Sequence, residues 1–163
     1  MAVCSKNFSR YNRSSRQKCG EQPRWPRGRW RRRRFARPGC FDLLHAGHVQ
    51  YLEAAKSFGD ILILGLNSDR SVKAIKGSGR PINNETDRAY IVAALEVVDY
   101  VVIFDEDTPY NLIQTIKPNT LVKGKDYEGK KVVGQDIVDE LILVEFIEGK
   151  SSSQIINKIQ KGN

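Results

Sequence analysis

The sequence predicts an α/β fold, in which a parallel β-sheet carries helices on both of its faces. The first observation is a continuous apolar run at 61–66, bounded by turn residues, which is typical of a parallel strand buried on both sides. The second is that segments of strand and helix character alternate along the chain. Because ligands bind beyond the carboxyl ends of parallel strands, we expect the functional residues in the loops at that edge.

The individual elements are predicted from apolar periodicity, capping residues and turn signals. Asn83 or Asn84 caps one helix, and Thr108 and Pro109 suit the N-cap and first turn of another. The glycines of 76–81 predict a flexible basic loop. The predicted helices span 48–57, a short segment around 72–75, 85–95, 109–116 and 152–159, and the predicted strands span 61–66, 100–104, 120–123 and 142–146.

Charge divides the chain of 163 residues into two parts. Residues 1–38 hold 13 Lys or Arg and one acid, a net charge of +12, whereas 39–163 hold 14 Lys or Arg and 18 acids, a net charge of −4. The basic balance therefore describes an arm and not the whole protein. We divide the chain into an Arg-rich arm, 1–37, and a domain, 38–163.

The arm has neither helical nor alternating apolar periodicity, although Trp25 and Trp30 lie among its arginines. A disordered tail is the favoured interpretation, and a nucleic-acid-binding arm is the alternative. A third hypothesis starts from the four consecutive arginines at 31–34, where a buried strand should precede the first ligand loop. Under that hypothesis an out-of-frame, truncated or fused segment displaces the native first strand and leaves it abnormal.

The cysteines and the hydropathy of the chain bear on its compartment. Cys4, Cys19 and Cys40 are odd in number and lack metal-ligand spacing, which favours free thiols in a reducing compartment. No apolar run of the sequence reaches the length of a membrane span, and its first thirty residues contain no signal-peptide core. We therefore expect a cytoplasmic protein with no membrane partner.

The segment Gly39–His48 carries the strongest functional signal. It contains a glycine-bearing loop and the histidines His45 and His48, followed by an amphipathic helix. Residues three apart share one face of a helix, so the two imidazoles can point into one small volume. The first N–H groups of a helix lack intrahelical partners and its dipole is positive there. Together these features favour binding of a phosphate chain.

The segment GCFDLLHAGH resembles the GxFD…HxGH signature of the nucleotidylyltransferase superfamily. The resemblance implies a Rossmann-like fold and a magnesium-assisted transfer of a nucleoside monophosphate to a phosphate-bearing acceptor. Such an acceptor is already an anionic nucleophile, so alignment and charge stabilisation can supply the catalysis.

Over 39–163 the chain is similar to the adenylyltransferase domain of ADP-heptose synthase. That family joins AMP from ATP to D-glycero-β-D-manno-heptose 1-phosphate for lipopolysaccharide cores and releases pyrophosphate. Glycerol-3-phosphate cytidylyltransferases share several of the motifs and remain an alternative. The segments that carry the resemblance are Asn67-Ser68-Asp69, Lys76-Gly77, Arg80-Pro81, Asp87-Arg88, Val98-Asp99, Glu106-Asp107-Thr108-Pro109, Lys123-Gly124-Lys125-Asp126-Tyr127 and Gly149-Lys150-Ser151-Ser152-Ser153.

The resemblance also implies roles for individual residues. Those implied in catalysis are His45, His48 and Lys76. Those implied in nucleotide binding are Cys40, Phe41, His45, His48, Arg88, Lys123, Gly124, Asp126, Ser151, Ser152 and Ser153. Those implied in acceptor binding are Arg80, Glu106 and Asp107. No residue is assigned to a protein-held metal site, and ATP and Mg²⁺ are the implied cofactors.

Structural alternatives stay open for several of these residues. Arg88 can instead pair with Glu85, Asp126 can be a turn residue or bind a hydrated Mg²⁺, and Lys76 can be a solvated loop lysine. The implied partners are ATP and a small sugar phosphate, with nucleic acid disfavoured and a homo-oligomer left open. Because proteins of that family are often fused to a sugar kinase, a separate kinase is the expected pathway partner.

Overall fold

The computed structural model describes residues 9–12, 34–145 and 151–162. Its strands are β1 Ser9–Asn12, β2 Arg34–Gly39, β3 Ile61–Asn67, β4 Tyr100–Phe104, β5 Thr120–Gly124 and β6 Glu140–Val144. Its helices are α1 Ala46–Ser57, α2 Asp69–Lys76, α3 Glu85–Ala93, α4 Tyr110–Ile116 and α5 Ser152–Lys161, and Lys125–Tyr127 forms a short 3₁₀ turn.

The described strands form one six-stranded sheet in the order β1-β4-β3-β2-β5-β6. The strands β2 to β6 pair in parallel, and β1 pairs with β4 in the antiparallel sense. From β2 the chain adds β3 and β4 on one side, then crosses over and adds β5 and β6 on the other. The order therefore reverses between β2 and β5, and this switch point is where open α/β sheets bind ligands.

Alternate residues of β3 face two different layers of helices. Leu62, Leu64 and Leu66 are fully buried in a cluster with residues of α1 and α3. Ile61 and Ile63 belong to a second cluster, which includes residues of α4. Each buried aliphatic side chain contributes about 1.5–3 kcal/mol relative to exposure. The predicted parallel sheet with helices on both faces is confirmed.

Gly65 allows the close approach of α4 to the centre of the sheet. A Cβ atom at this position would lie 2.8 Å from Leu112 Cδ2 and 3.4 Å from the Cα atom of Pro38. Interiors are close-packed and tolerate little added volume, so a larger residue at this strand position would have to displace the Leu112 side chain.

Most predicted elements are confirmed to within a few residues. The helix predicted from 48 begins at Ala46, because the loop keeps His45 extended and the His48 N–H donates to the His45 carbonyl at 2.8 Å. The prediction that Thr108 caps α4 is wrong, since Pro109 occupies the N-cap position and its carbonyl accepts from the Ile113 N–H.

The last strand and the third helix also differ from the prediction. The strand β6 begins two residues earlier than predicted, because Glu140 to Val144 pair in register with the whole of β5. The predicted strand ends at residue 146, which lies outside the described residues. Asn84, and not Asn83, caps α3, which ends at Ala93 rather than near residue 95.

The described backbone crosses the predicted boundary between arm and domain. β2 starts at Arg34 and lies between β3 and β5, while β1, from the first third of the arm, extends the sheet beside β4. The arginines at 31–33 lie outside the described residues, so the division at residue 37 stays a prediction. None of the helices in the described ranges combines the length and apolar character that a membrane crossing demands.

Candidate active site

The loop after β2 turns sharply at Phe41. Its φ of 45° lies in the left-handed region, which is uncommon for a residue other than glycine. The Phe41 ring is 3% exposed, and its centroid lies 5.0 Å from that of His48. The buried ring thus places this uncommon backbone conformation in contact with the start of α1. Cys40, beside it, is half-buried, with its Sγ atom 3.9 Å from Asn67 Oδ1.

The histidine pair lies together at the start of α1. The ring centroids of His45 and His48 are 3.8 Å apart and the rings are stacked at 25°. His45 occupies the N-cap position and its side chain makes no capping hydrogen bond. The predicted sharing of one volume is confirmed. Two imidazoles at a helix N-terminus, beyond the carboxyl edge of the sheet, can bind and polarise phosphate oxygens.

The amino end of α5 meets the same loop. The Ser152 hydroxyl donates to the Leu43 carbonyl at 2.9 Å, across 109 residues of sequence. Ser151 caps the helix by accepting from the Gln154 N–H, and Ser153 is exposed. The structure therefore brings a second helix N-terminus to the histidine loop, although the Ser152 hydroxyl itself is used in that contact.

Asp42 was missed by the sequence analysis. Its side chain is 1% exposed and ion-pairs with the Nε atom of Arg80. The same carboxylate accepts from the Ile82 N–H at 2.7 Å and from the Asn83 N–H at 3.2 Å. Burial alone would raise the pKa of Asp42, but these hydrogen bonds outweigh it and hold the pKa below its ordinary value. The aspartate of the GxFD motif was the available signal.

Arg88 differs from its predicted role. Its side chain is 0% exposed, and Nε donates to the Asn83 carbonyl while Nη1 donates to the Cys40 carbonyl. Nη2 donates to both the Asn67 carbonyl and Asp69 Oδ1. A buried guanidinium with these partners has no surface left for a nucleotide. Arg88 is a positioning residue that joins the ends of β2 and β3 to the start of α3, and its alternative partner, Glu85, accepts instead from the Asp69 N–H.

Lys76 is the exposed last residue of α2. It is followed by Gly77 at a φ of 93°, and the Arg80 N–H donates to the Gly77 carbonyl at 3.1 Å. The basic loop is thus a turn held at one end by α2 and at the other by Asp42. The structure places Lys76 beside this turn, and its part in phosphate binding stays a prediction.

The end of β5 carries the next group of predicted residues. Lys123 is half-buried, with its Nζ atom 4.9 Å from the ring centroid of Tyr127. Gly124 is buried and Asp126 is exposed on the 3₁₀ turn. β5 lies next to β2 at the switch point, so these residues line the same edge as the histidine loop.

Some carboxylates of the acidic run after β4 already form hydrogen bonds and ion pairs within the protein. Asp105 accepts from the Ser68 hydroxyl and from Arg70 Nε, and both contacts lower its pKa, that with Ser68 more strongly. Asp107 lies 3.5 Å from Arg70 Nη1 and is exposed. One carboxylate oxygen of Glu106 is buried, and the described residues give it no hydrogen-bond partner. Glu106 and Asp107 therefore keep oxygens that can accept from a sugar hydroxyl.

No cluster of three or more potential metal-binding side chains occurs within 9–12, 34–145 and 151–162. Mg²⁺ in nucleotide enzymes is held by substrate phosphates with one or two carboxylates, so such a cluster is not required. The exposed carboxylate of Asp126 could supply one of them.

Comparison with known proteins decides the family. Residues 36–161 match the cytidylyltransferase-like family. The chain belongs to that family. The match begins within β2 and ends in the last turn of α5, so it covers the histidine loop and every segment brought to it. The predicted membership of the nucleotidyltransferases is confirmed.

Curated relatives of this family member are named bifunctional protein HldE. The protein of Aliarcobacter butzleri is 68% identical over 123 residues, which is 76% of this chain and 26% of that protein. The protein of Campylobacter fetus is 63% identical over 122 residues, which is 75% of this chain and 27% of that protein. The protein of Wolinella succinogenes is 58% identical over 149 residues, which is 91% of this chain and 31% of that protein. Part of 1–37 therefore aligns with it. The chain spans about a quarter to a third of the length of these relatives.

A solved structure shares the fold of this family member. It is a lipopolysaccharide core biosynthesis protein from Thermoplasma volcanium, with a TM-score of 0.58 and 24% identity. The likeness covers 73% of this chain and 99% of the other, and it supports the fold assignment.

Proposed function

We propose that the chain transfers AMP from ATP to a sugar 1-phosphate, with D-glycero-β-D-manno-heptose 1-phosphate as the acceptor, in lipopolysaccharide core synthesis. The observation that carries the proposal is the stacked pair His45 and His48 at the switch point, where α5 also begins. The relatives named HldE, at 58–68% identity, support the choice of the heptose branch. A cytoplasmic location is part of the proposal.

The chemistry requires alignment more than acid–base catalysis. An oxygen of the acceptor phosphate attacks the α-phosphorus of ATP and forms a new P–O bond. The bond from that phosphorus to the oxygen bridging to the β-phosphate breaks, and its electron pair leaves with pyrophosphate. No proton needs to be removed from the nucleophile, so the protein's contribution is positioning and stabilisation of negative charge.

The residues of the site divide this work by position. His45 and His48 donate to the phosphates of ATP from the start of α1, and Lys76 brings positive charge from its exposed turn. Bound Mg²⁺ would neutralise charge on the phosphates, with Asp126 as a candidate ligand. Further nucleotide contacts are proposed for Cys40, Phe41, Lys123, Gly124, Ser151, Ser152 and Ser153, and acceptor contacts for Arg80, Glu106 and Asp107.

Cytidylyl transfer to glycerol 3-phosphate is the second candidate, favoured by the family that matches the chain. A pyrophosphate-release assay separates the two when ATP and CTP are each tested with heptose 1-phosphate, glycerol 3-phosphate and phosphopantetheine. We expect the highest turnover with ATP and heptose 1-phosphate. Equal or better turnover with CTP and glycerol 3-phosphate would contradict the heptose proposal.

The relatives' length matters for the biological setting. Their name describes two functions, and this chain corresponds to about a quarter to a third of the length of each relative. We propose that a sugar kinase supplies the acceptor. Adding a heptose kinase to the pyrophosphate-release assay tests this proposal.

Nucleic-acid binding by 1–37 is the disfavoured rival. A salt-sensitive RNA or DNA shift that is lost on removing the arm, without pyrophosphate release, would favour it.

A further inference from the structure

Asp42 and Arg80 link the nucleotide loop to the loop before α3. Nε of Arg80 is committed to the Asp42 carboxylate, and the Arg80 side chain is only 12% exposed. Its Nη2 atom is buried, and the described residues offer it no hydrogen-bond partner. A buried donor without an acceptor is unfavourable, and more so when the group is charged. A phosphate oxygen, which arginine binds in its forked geometry, would satisfy that donor.

We propose that Asp42 is a positioning residue that holds the Arg80 guanidinium ready for the phosphate of the acceptor. The inference rests on the proposed function, because it assigns Arg80 to the acceptor and not to ATP. Asp42 acts through Arg80 and through the backbone of 82–83, which the same carboxylate anchors. The carboxylate thus turns a flexible basic loop into a preorganised anion site, which reduces the ordering cost of binding.

The Asp99 carboxylate provides a matched control. It ion-pairs with Lys56 and accepts from the Leu62 N–H at 2.7 Å, so it combines a cation and a backbone amide as Asp42 does. Leu62 lies at the amino end of β3, whereas Asp42 lies beyond the carboxyl edge of the sheet. Loss of the Asp99 carboxylate should therefore affect stability without affecting acceptor binding.

Amide hydrogen exchange tests the anchoring without any substrate. In Asp42→Ala the amides of Ile82 and Asn83 lose their acceptor and should exchange at least about tenfold faster than in the unmodified chain. In Asp42→Asn a side-chain oxygen remains, and these amides should stay protected. Unchanged exchange of both amides in Asp42→Ala would show that the carboxylate does not hold the loop.

Steady-state kinetics test the positioning of Arg80. We expect Asp42→Asn and Arg80→Gln each to raise the KM for the sugar 1-phosphate by about tenfold or more, the size of one lost charge-assisted hydrogen bond, with the KM for ATP changed less than about twofold. The double variant should be no worse than the poorer single variant, since both changes remove one contact. Asp99→Asn should keep both KM values. Additive losses, or equal effects on the KM for ATP, would overturn the proposal.

A separate result distinguishes failure of the proposed function. If the unmodified chain releases no pyrophosphate with any sugar 1-phosphate, the heptose reaction is wrong, and inorganic phosphate then replaces the acceptor as probe. Phosphate should raise the melting temperature of the unmodified chain and of Asp99→Asn, and raise it less for Arg80→Gln and Asp42→Asn. Equal shifts in all four proteins would overturn the anion site.

Discussion

Replacement of Arg88 by methionine should destabilise the fold by about 3–5 kcal/mol. The guanidinium donates to three carbonyls, at 3.0 Å to Asn83, 2.5 Å to Cys40 and 2.9 Å to Asn67. Each buried carbonyl that loses its donor costs about 1 kcal/mol. The ion pair with Asp69 adds at most about 1 kcal/mol, because that carboxylate is 32% exposed and can be hydrated. These contributions total about 4 kcal/mol.

Urea denaturation followed by circular dichroism measures this loss. A domain is stable by only about 5–15 kcal/mol, so the variant should unfold at a much lower urea concentration and melt about 10 °C earlier. Arg88→Lys should lose nearly as much, since a single ammonium group cannot reach carbonyls on three segments. Glu85→Gln, which keeps the contact of Arg88 with Asp69, is the control and should lose less than about 1 kcal/mol.

A loss of less than about 1 kcal/mol in Arg88→Met would contradict the structural role of the guanidinium. An equal loss in Glu85→Gln and Arg88→Met would contradict it too, because the pairing within α3 would then outweigh the contacts to the loops.

Three further predictions concern catalysis, pH and the first strand. His48→Ala should reduce turnover by about 10²–10³, the effect of one preorganised donor, and a loss below about threefold would remove His48 from the mechanism. The pKa of Asp42 is depressed below its ordinary 3.8 in the folded protein, so its carboxylate stabilises the fold above that pH and loses this effect as the pH falls through the folded pKa. The stability gap between the unmodified chain and Asp42→Asn should therefore be full at pH 7 and narrow below about pH 4 in urea titrations. Replacing 31–36 with an apolar β-forming run should raise the melting temperature, and equal cooperative melting with equal ATP turnover would refute that expectation.

The fold could be predicted because local patterns specify it at each step. The apolar run of β3 and the proline and glycine signals around the helices depend on residues close together in the sequence. The start of α1 was misplaced because the backbone of the preceding loop, and not a capping side chain, fixes the first turn. The start of β6 was misplaced because it depends on pairing with β5, about twenty residues away in the chain.

The candidate site was predicted only where it depends on short spacing. His45 and His48 are three residues apart, and the structure stacks their rings. Asp42 meets Arg80 across 38 residues, and Arg88 meets the Cys40 carbonyl across 48. From a single sequence, an arginine can be interpreted as a phosphate binder or as an ion-pair partner. The sequence does not indicate that the Arg88 guanidinium instead donates to backbone carbonyls of distant loops.

Pro38 lies in β2, the strand that leads into the candidate active site. Proline has no N–H to donate and is unusual inside a sheet, yet β2 lies between two parallel neighbours. The register with β3 continues to Gly39, and Pro38 lies opposite Gly65, where the missing Cβ leaves room for it. The pairing with β5 covers only the register positions 35 and 36, so Pro38 lies beyond the paired part of these two strands. The missing donor therefore falls outside the paired register, at the switch point beyond which open α/β sheets bind ligands and where the histidine loop begins.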